Sequence, residues 1–249
     1  MPLLYAIGDI HGRRDLLEPL LAAIREDAAR RKRKPRLVFL GDVIDRGPDS
    51  RGTMDLVIAA LGEFRGSRLI LGNHEEMLLR FVDDDTDRAR TRRLWLNNGG
   101  METLVSYGFR AHQSMDEIAR CFEEDFAGHL AALRAAAWML KTDLYCFVHG
   151  GIDPSLPLAA QDPETTRWIR GEFLNFKDPL PRTVVHGHTP TISSGPEIHV
   201  NRIAVDTGAF HSGHLTCAVL EDDAAPVFLS TSDHGDHVTV SKVEALDCR

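Results

Sequence analysis

Residues 3–12 read LLYAIGDIHG, five apolar residues and then Gly8-Asp9-Ile10-His11-Gly12. An apolar run this short, cut off by glycine, predicts a buried strand over Leu3–Ile7. The chemistry-bearing residues follow at once, where the chain leaves the strand. The pattern recurs twice. Residues 37–40 form a second strand candidate and run into Gly41-Asp42-Val43-Ile44-Asp45-Arg46-Gly47. Residues 69–71 form a third and run into Gly72-Asn73-His74-Glu75. Between them Leu16, Leu17, Leu20, Leu21 and Ile24 fall on one helical face, residues 54–61 lie in a second helix, and a third starts near Glu75. Alternation of this kind implies βαβ units. In open α/β sheets, ligands bind beyond the carboxyl ends of the strands, so three polar motifs at three strand ends are expected to converge.

The rest of the chain divides in two. Residues 83–140 are rich in Asp, Arg, Glu and Ala and helical in pattern, with breaks near residues 97–100 and 107–108. They are expected to form a helical insertion beside the site, within one domain spanning 1–249. From Lys141 onward the pattern is β-rich, with strands expected at 144–148, 183–185, 198–205, 215–220, 226–229 and 238–243. A second sheet packed on the first would bury both. The basic run at residues 30–34 is read as the cationic end of a helix that Pro35 stops, not as a nucleic-acid patch.

Composition sets the outer limits. A net charge of −8 over 249 residues argues against general nucleic-acid binding, because that affinity comes from phosphate neutralisation by Lys and Arg. Cys121, Cys146, Cys217 and Cys248 show no C-x-x-C spacing and read as thiols of a reducing compartment. The start, MPLLYAIGDIHG, lacks the basic and long apolar stretches of a signal peptide, and no apolar run approaches the ~18 residues of a membrane span. A soluble, cytoplasmic protein is expected, with no membrane partner.

Two further motifs, His149-Gly150-Gly151 and Gly187-His188-Thr189, complete a set of five. Carboxylates, imidazoles and one amide oxygen suit divalent ions such as Mn²⁺, Fe²⁺ or Zn²⁺, and the lack of Cys donors argues against a structural zinc site. Asp9 and His11 can turn to one ion from one loop. Asp42 can bridge two ions with its two oxygens. Asn73, His149 and His188 would complete the second. His186, two residues before His188, competes for the last place. Two such ions activate a bridging water and clamp phosphoryl oxygens for in-line attack.

Together, GDIHG, GDVIDRG, GNHE, HGG and GHT resemble the phosphoprotein phosphatase branch of the calcineurin-like metallophosphoesterases, over nearly the whole chain. The resemblance implies an α/β fold, a β-sandwich flanked by helices. It implies the metal ligands Asp9, His11, Asp42, Asn73, His149 and His188, favouring His188 over His186, and two divalent ions, Mn²⁺ before Fe or Zn. It also implies that Arg46, with Asn73, binds the substrate phosphate, that His74 donates a proton to the leaving oxygen and that Asp45 holds His74. Trp168-Ile169-Arg170 resembles the Trp-x-Arg of bacterial and phage members, which makes Arg170 the second phosphate-binding arginine, with Arg167 as alternative. Val205-Asp206-Thr207-Gly208-Ala209 resembles the turn after the last ligand, so Asp206 is read as a supporting or turn-forming residue. The tyrosine-bearing wall of the eukaryotic enzymes has no counterpart. His211 and His214 are placed near the cleft, and His112, His129, His199, His234 and His237 on the surface.

Two substrate classes share this machinery: phosphoproteins carrying phospho-Ser, phospho-Thr or phospho-Tyr, and dinucleoside polyphosphates cleaved symmetrically. Residues 95–100, WLNNGG, resemble the Trp-Leu-x-Asn-Gly-Gly of the phage-lambda type of protein phosphatase, which favours the first. A non-catalytic phosphate-binding scaffold is the remote alternative, since its signature would be a missing ligand. The native substrate, metal and oligomeric state are not legible in the sequence.

Overall fold

The structure, a computed structural model, describes residues 3–83, 88–221 and 224–249. The reading of residues 1–2 as part of an ordinary N-terminus, and of 84–87 as part of the helical segment, falls outside them. The first half runs β1 (Leu3–Ile7), α1 (Arg14–Arg30), β2 (Pro35–Phe39), α2 (Ser50–Glu63), β3 (Arg68–Leu69) and α3 (Asn73–Asp83). Four helices follow: α4 (Arg88–Trp95), α5 (Met101–Ser106), α6 (Met115–Asp125) and α7 (Ala127–Arg134), with a wide π-type turn, Leu96–Gly100, between α4 and α5. The remainder is β4 (Leu140–Lys141), β5 (Tyr145–Phe147), α8 (Pro163–Trp168), α9 (Gly171–Leu174), β6 (Thr183–His186), β7 (Glu197–Ile198), β8 (Arg202–Ala204), α10 (Ala209–Ser212), β9 (Thr216–Leu220), β10 (Val227–Asp233), β11 (Val238–Val243) and β12 (Leu246–Asp247).

Two mixed sheets result, in the orders β11-β10-β9-β1-β2-β3 and β12-β7-β8-β6-β5-β4. The apolar runs are continuous because both strand faces are covered. On β1, Leu3, Tyr5 and Ile7 face the helices, where they meet Leu16, Leu17, Leu20 and Ile24 of α1. Leu4 and Ala6 face the other way and, with Val38, Leu40 and Ile70, pack against Tyr145, Phe147, Val185 and Ile203 of the second sheet. Full burial of each such aliphatic side chain contributes about 1.5–3 kcal/mol. This is the α/β sandwich expected.

Register places the site. Ile7, Phe39 and Leu69 lie side by side at the ends of three parallel strands. Phe147 pairs with Val185, and His186 with Ala204, in parallel strands of the second sheet. The segments carrying Asp9, Asp42, Asn73, His149, His188 and Asp206 therefore leave the two sheets at strand ends and meet.

Some local expectations need correction. Helix α3 begins at Asn73 rather than near Glu75, which puts Asn73 and His74 on its first turn. Residues 198–205 are not one strand. They turn back at 199–201, so that β7 and β8 pair antiparallel with Ile198 opposite Ile203. Asn201 holds the turn by donating to the carbonyls of Phe176 and Asp178, both at 2.9 Å. His129 and His199 are not surface groups. His129 bonds the Tyr107 hydroxyl at 2.8 Å, and His199 meets Glu197 at 3.0 Å. Among the described residues no helix is long and apolar enough to cross a membrane.

Candidate metal centre

Asp42 is the hub. It is 2 % exposed, and its two oxygens face different partners. Oδ2 stands 3.6 Å from His11 Nε2 and 3.7 Å from His74 Nε2, whereas Oδ1 stands 3.3 Å from His149 Nε2. On the Oδ1 side, Asn73 Oδ1 lies 2.9 Å from His149 Nε2 and 2.8 Å from His188 Nδ1, and those two nitrogens are 3.2 Å apart. The tautomers follow from the outer bonds. His11 Nδ1 donates to the Ile44 carbonyl at 2.9 Å and His149 Nδ1 to the Leu40 carbonyl at 2.7 Å. Each Nε2 therefore points inward, where it can take a metal ion or a proton, an arrangement typical of metal-binding histidines.

This donor set fits a divalent ion. Acceptor atoms of Asp42, Asn73, His149 and His188 crowd one point, and lone pairs that meet so closely need a proton or a cation between them. Buried acids add to the demand. Burial, and then Asp206, pushes the Asp9 carboxyl well above its ordinary value. Burial alone would lower His149, but Asp42 outweighs it and raises the imidazole to about 10. Burial takes His11 down to about 3 and His188, beside His149, down to about 2, so both stay neutral donors.

Asp9 is turned a little aside. Its carboxylate accepts the His188 backbone N–H at 3.0 and 3.1 Å. A Cβ on Gly187 would stand 2.0 Å from Asp9 Oδ1, so only glycine lets that strand end approach. His186 does not join the cluster; it is buried edge-on against Phe173 at 5.1 Å. His188 is thus the histidine brought to the centre.

A second constellation abuts the first. His74 Nδ1 donates to Asp45 Oδ2 at 2.7 Å. Asp45 is wholly buried and also accepts the Trp95 indole N–H at 3.0 Å and the Thr103 hydroxyl at 2.6 Å. Burial alone would lower the His74 pKa; Asp42 and the bond to Asp45 outweigh it and raise it. Arg46 donates Nη1 to His11 Nε2 at 2.9 Å and Nη2 to His74 Nε2 at 3.1 Å, with its guanidinium 4.9 Å from the Phe210 ring centre. The carbonyl of Gly99, at φ 100°, accepts the Arg46 N–H at 3.1 Å, and a Cβ there would stand 2.8 Å from that nitrogen. The WLNNGG segment therefore fixes Asp45 and Arg46. Both substrate readings need these two groups, so the segment does not choose between them.

The two arginine candidates differ in surroundings. Arg167 is committed to Glu76 at 2.7 Å. Arg170 is exposed and reaches the His188 carbonyl at 3.5 Å, beside the cluster. Asp206 is buried and accepts the Gly208 N–H at 2.9 Å, a turn-forming role. His214 is fixed to the Thr231 carbonyl at 2.7 Å, and His211 meets Phe210 edge-on at 4.7 Å.

The sequence reading did not assign four of the groups that build the site. Phe210 meets His11 edge-on at 5.6 Å and supplies an aromatic wall. Trp95 and Thr103 hold Asp45. Glu75 is the fourth: its buried carboxylate accepts the N–H groups of Asp42 at 2.8 Å, Val43 at 2.7 Å, Ile44 at 3.2 Å and Gly72 at 3.0 Å. Burial and Asp42 push it up to about 7. Glu75→Gln offers one acceptor oxygen and turns an NH₂ toward those donors. It is expected to lower stability by about 1–3 kcal/mol, the cost of buried unpaired groups. Urea denaturation measures this, and an unchanged midpoint at an unchanged slope would refute the role.

The family profile of calcineurin-like phosphoesterases matches residues 3–217. Serine/threonine-protein phosphatase 1 of Salmonella typhimurium is 36% identical over 225 residues, covering 87% of this chain and 91% of that protein. Bis(5'-nucleosyl)-tetraphosphatase PrpE [asymmetrical] of Oceanobacillus iheyensis is 28% identical over 229 residues, covering 84% and 85%. Among solved structures, a cold-active protein-tyrosine phosphatase of a psychrophilic Shewanella species superposes with a TM-score of 0.55 at 19% identity, covering 98% of this chain and 81% of that one. The last likeness speaks for the fold alone.

Proposed function

The chain belongs to the calcineurin-like phosphoesterase family, and on that premise we propose that this metal-dependent phosphoester hydrolase acts as a phosphoprotein phosphatase on phospho-Ser and phospho-Thr. The observation that carries a hydrolytic role is the contact between two constellations. His74 Nε2 stands 3.7 Å from the Asp42 carboxylate, Asp45 holds the other ring nitrogen of His74 at 2.7 Å, and Arg46 spans His11 and His74. The residues present suit two divalent ions, with Asp9, His11 and Asp42 toward one and Asp42, Asn73, His149 and His188 toward the other. Such ions, Mn²⁺ being the first to try, would supply Lewis acidity toward water and the phosphoryl oxygens.

The chain's own residues supply the rest. Arg46 and Arg170 are proposed to clamp the phosphate, a task suited to planar, permanently charged guanidinium groups. Phosphate at Arg46 would draw the guanidinium off His74 Nε2 and leave that nitrogen free to carry a proton. His74 would give the proton to the leaving oxygen, and Asp45 would keep the imidazole oriented and charged. Trp95 and Thr103 in turn hold Asp45. We take residues 1–249 as one domain whose helical segment, about 83–140, serves this second constellation.

Dinucleoside polyphosphate hydrolysis is a second reading, and the relative from Oceanobacillus iheyensis supports it as strongly as the Salmonella relative supports the first. Turnover of a phosphoserine peptide and of diadenosine tetraphosphate should be measured side by side with Mn²⁺ supplied. The proposal expects a higher kcat/KM on the peptide. The reverse order would replace it with the second reading, and no turnover of either would favour a binding scaffold.

A further inference from the structure

The parallel strands of the second sheet have a polar feature at the end opposite the metal centre. Arg202 opens β8, paired with Val184 near the start of β6, whereas the segment carrying His188 leaves the far end of β6. A cavity of about 310 Å³ lies there, with Lys177, His199, Arg202, Cys248 and Arg249 in its lining.

Arg202 is 5 % exposed, yet none of the ion pairs found among the described residues includes it. Nη1 reaches Asn201 Oδ1 and Nη2 reaches His199 Nε2, both at 3.3 Å, and Nε has no partner. The His199 bond is itself contested, because the same ring nitrogen faces Glu197 Oε2 at 3.0 Å. A ring nitrogen that donates to Glu197 cannot accept from Arg202. Five guanidinium N–H groups are left with one or two long bonds. The Phe173 ring lies 5.9 Å from the guanidinium carbon, and the nearby Glu197 carboxylate bonds His199 rather than Arg202; a buried charge without a bonded counter-charge is costly until one meets it. Lys177 adds a second cation, exposed at the mouth, with its ammonium on the Leu174 carbonyl at 3.3 Å.

Glu197, His199 and Cys248 also lie close enough together to suggest a metal ion. A cation there would sit beside the buried guanidinium, which repels it. The same group attracts an anion.

We propose that this cavity is a second anion site, separate from the metal centre, that binds a tetrahedral oxyanion, with inorganic phosphate as its ligand. Arg202 is the buried anchor, Lys177 the cation at the mouth, and His199 a donor when its Nε2 turns from Glu197. Inorganic phosphate is the product of phosphomonoester hydrolysis, so on the phosphoprotein reading proposed above the enzyme meets it at every turnover; cleavage of a dinucleoside polyphosphate would release nucleotides instead.

The test is equilibrium dialysis of radiolabelled phosphate against the Mn²⁺-loaded full chain. Two classes of site are expected in the wild type. Arg202→Met, which keeps the bulk and removes the charge, should abolish one class and leave the other. Lys177→Ala, a surface change that leaves folding intact, should weaken the same class about 2- to 5-fold, the usual weight of an exposed charge pair. Asp42→Ala should remove the other class instead. A single class in the wild type overturns the proposal, as do two classes that both survive Arg202→Met in a protein with a native unfolding transition. If Arg202→Met does not fold, the Lys177→Ala, Arg249→Ala double variant decides: one weakened class supports the site and two unchanged classes refute it.

Discussion

Asp42→Ala is expected to lose bound metal from both positions at once. Oδ2 of this carboxylate faces His11 and Oδ1 faces His149, so one side chain serves two donor sets. Plasma mass spectrometry of the Mn²⁺-loaded protein should show about two ions per chain in the wild type and close to none in the variant. His188→Ala, confined to one set, should keep one. Loss of a group that merely supports a ligand costs about 10–100-fold in metal affinity or activity, so loss of the shared ligand should lower turnover by more than ~10²-fold. Asp42→Ala protein that keeps one ion at full occupancy would show that the carboxylate serves one position only.

The second large effect concerns the leaving group. A serine alkoxide departs poorly without a proton, while a nitrophenolate needs little help. General-acid catalysis typically contributes ~10²–10⁴-fold, so His74→Asn should slow phosphoserine hydrolysis by about that factor and nitrophenyl phosphate hydrolysis much less. Metal content should not change. Trp95→Phe and Thr103→Val remove the donors that hold Asp45 and should give weaker versions of the same split. Arg46→Ala should slow both substrates, since they share the phosphate that Arg46 is proposed to bind. Equal slowing of both by His74→Asn, with both ions bound, would place His74 at the phosphate or the water instead.

The convergence of the motif-bearing loops was legible because parallel strands leave few places for a polar residue to go. Gly-Asp, Gly-Asp and Gly-Asn directly after three apolar runs mark strand ends, and register brings those ends together. The pairing of Asp45 with His74 was expected through resemblance, but what holds Asp45 was not. Trp95 and Thr103 lie 50 and 58 residues further on, on helices whose approach is set by packing of Trp95 against Phe81 and Phe122. No local pattern encodes that distance. Glu75 was in plain view within Gly72-Asn73-His74-Glu75, yet its function is to collect backbone N–H groups from another loop, and backbone geometry leaves no compositional trace. The β7–β8 turn escaped for a related reason. The apolar and β-branched residues on either side of 199–201 continue a strand pattern, and only the tertiary bonds of Asn201 break it. Phe210 was passed over because a single aromatic after a glycine turn reads as core.

His11, Asp42, Asp45, Arg46 and His188 share one further property: all five have positive φ, between 48° and 73°, as do only two other non-glycine residues among those described. Each such residue costs about 1–3 kcal/mol of backbone strain, and glycine or asparagine at the same place would relieve much of it. Heat resistance and chemistry therefore pull in opposite directions at these positions. A laboratory selection that rewarded survival at high temperature alone would have an incentive to dismantle the centre loop by loop, and would yield a sturdier protein that no longer works. An engineer who wants both properties should look for stability in the α1 face and the layer between the sheets, and leave the five loop positions alone.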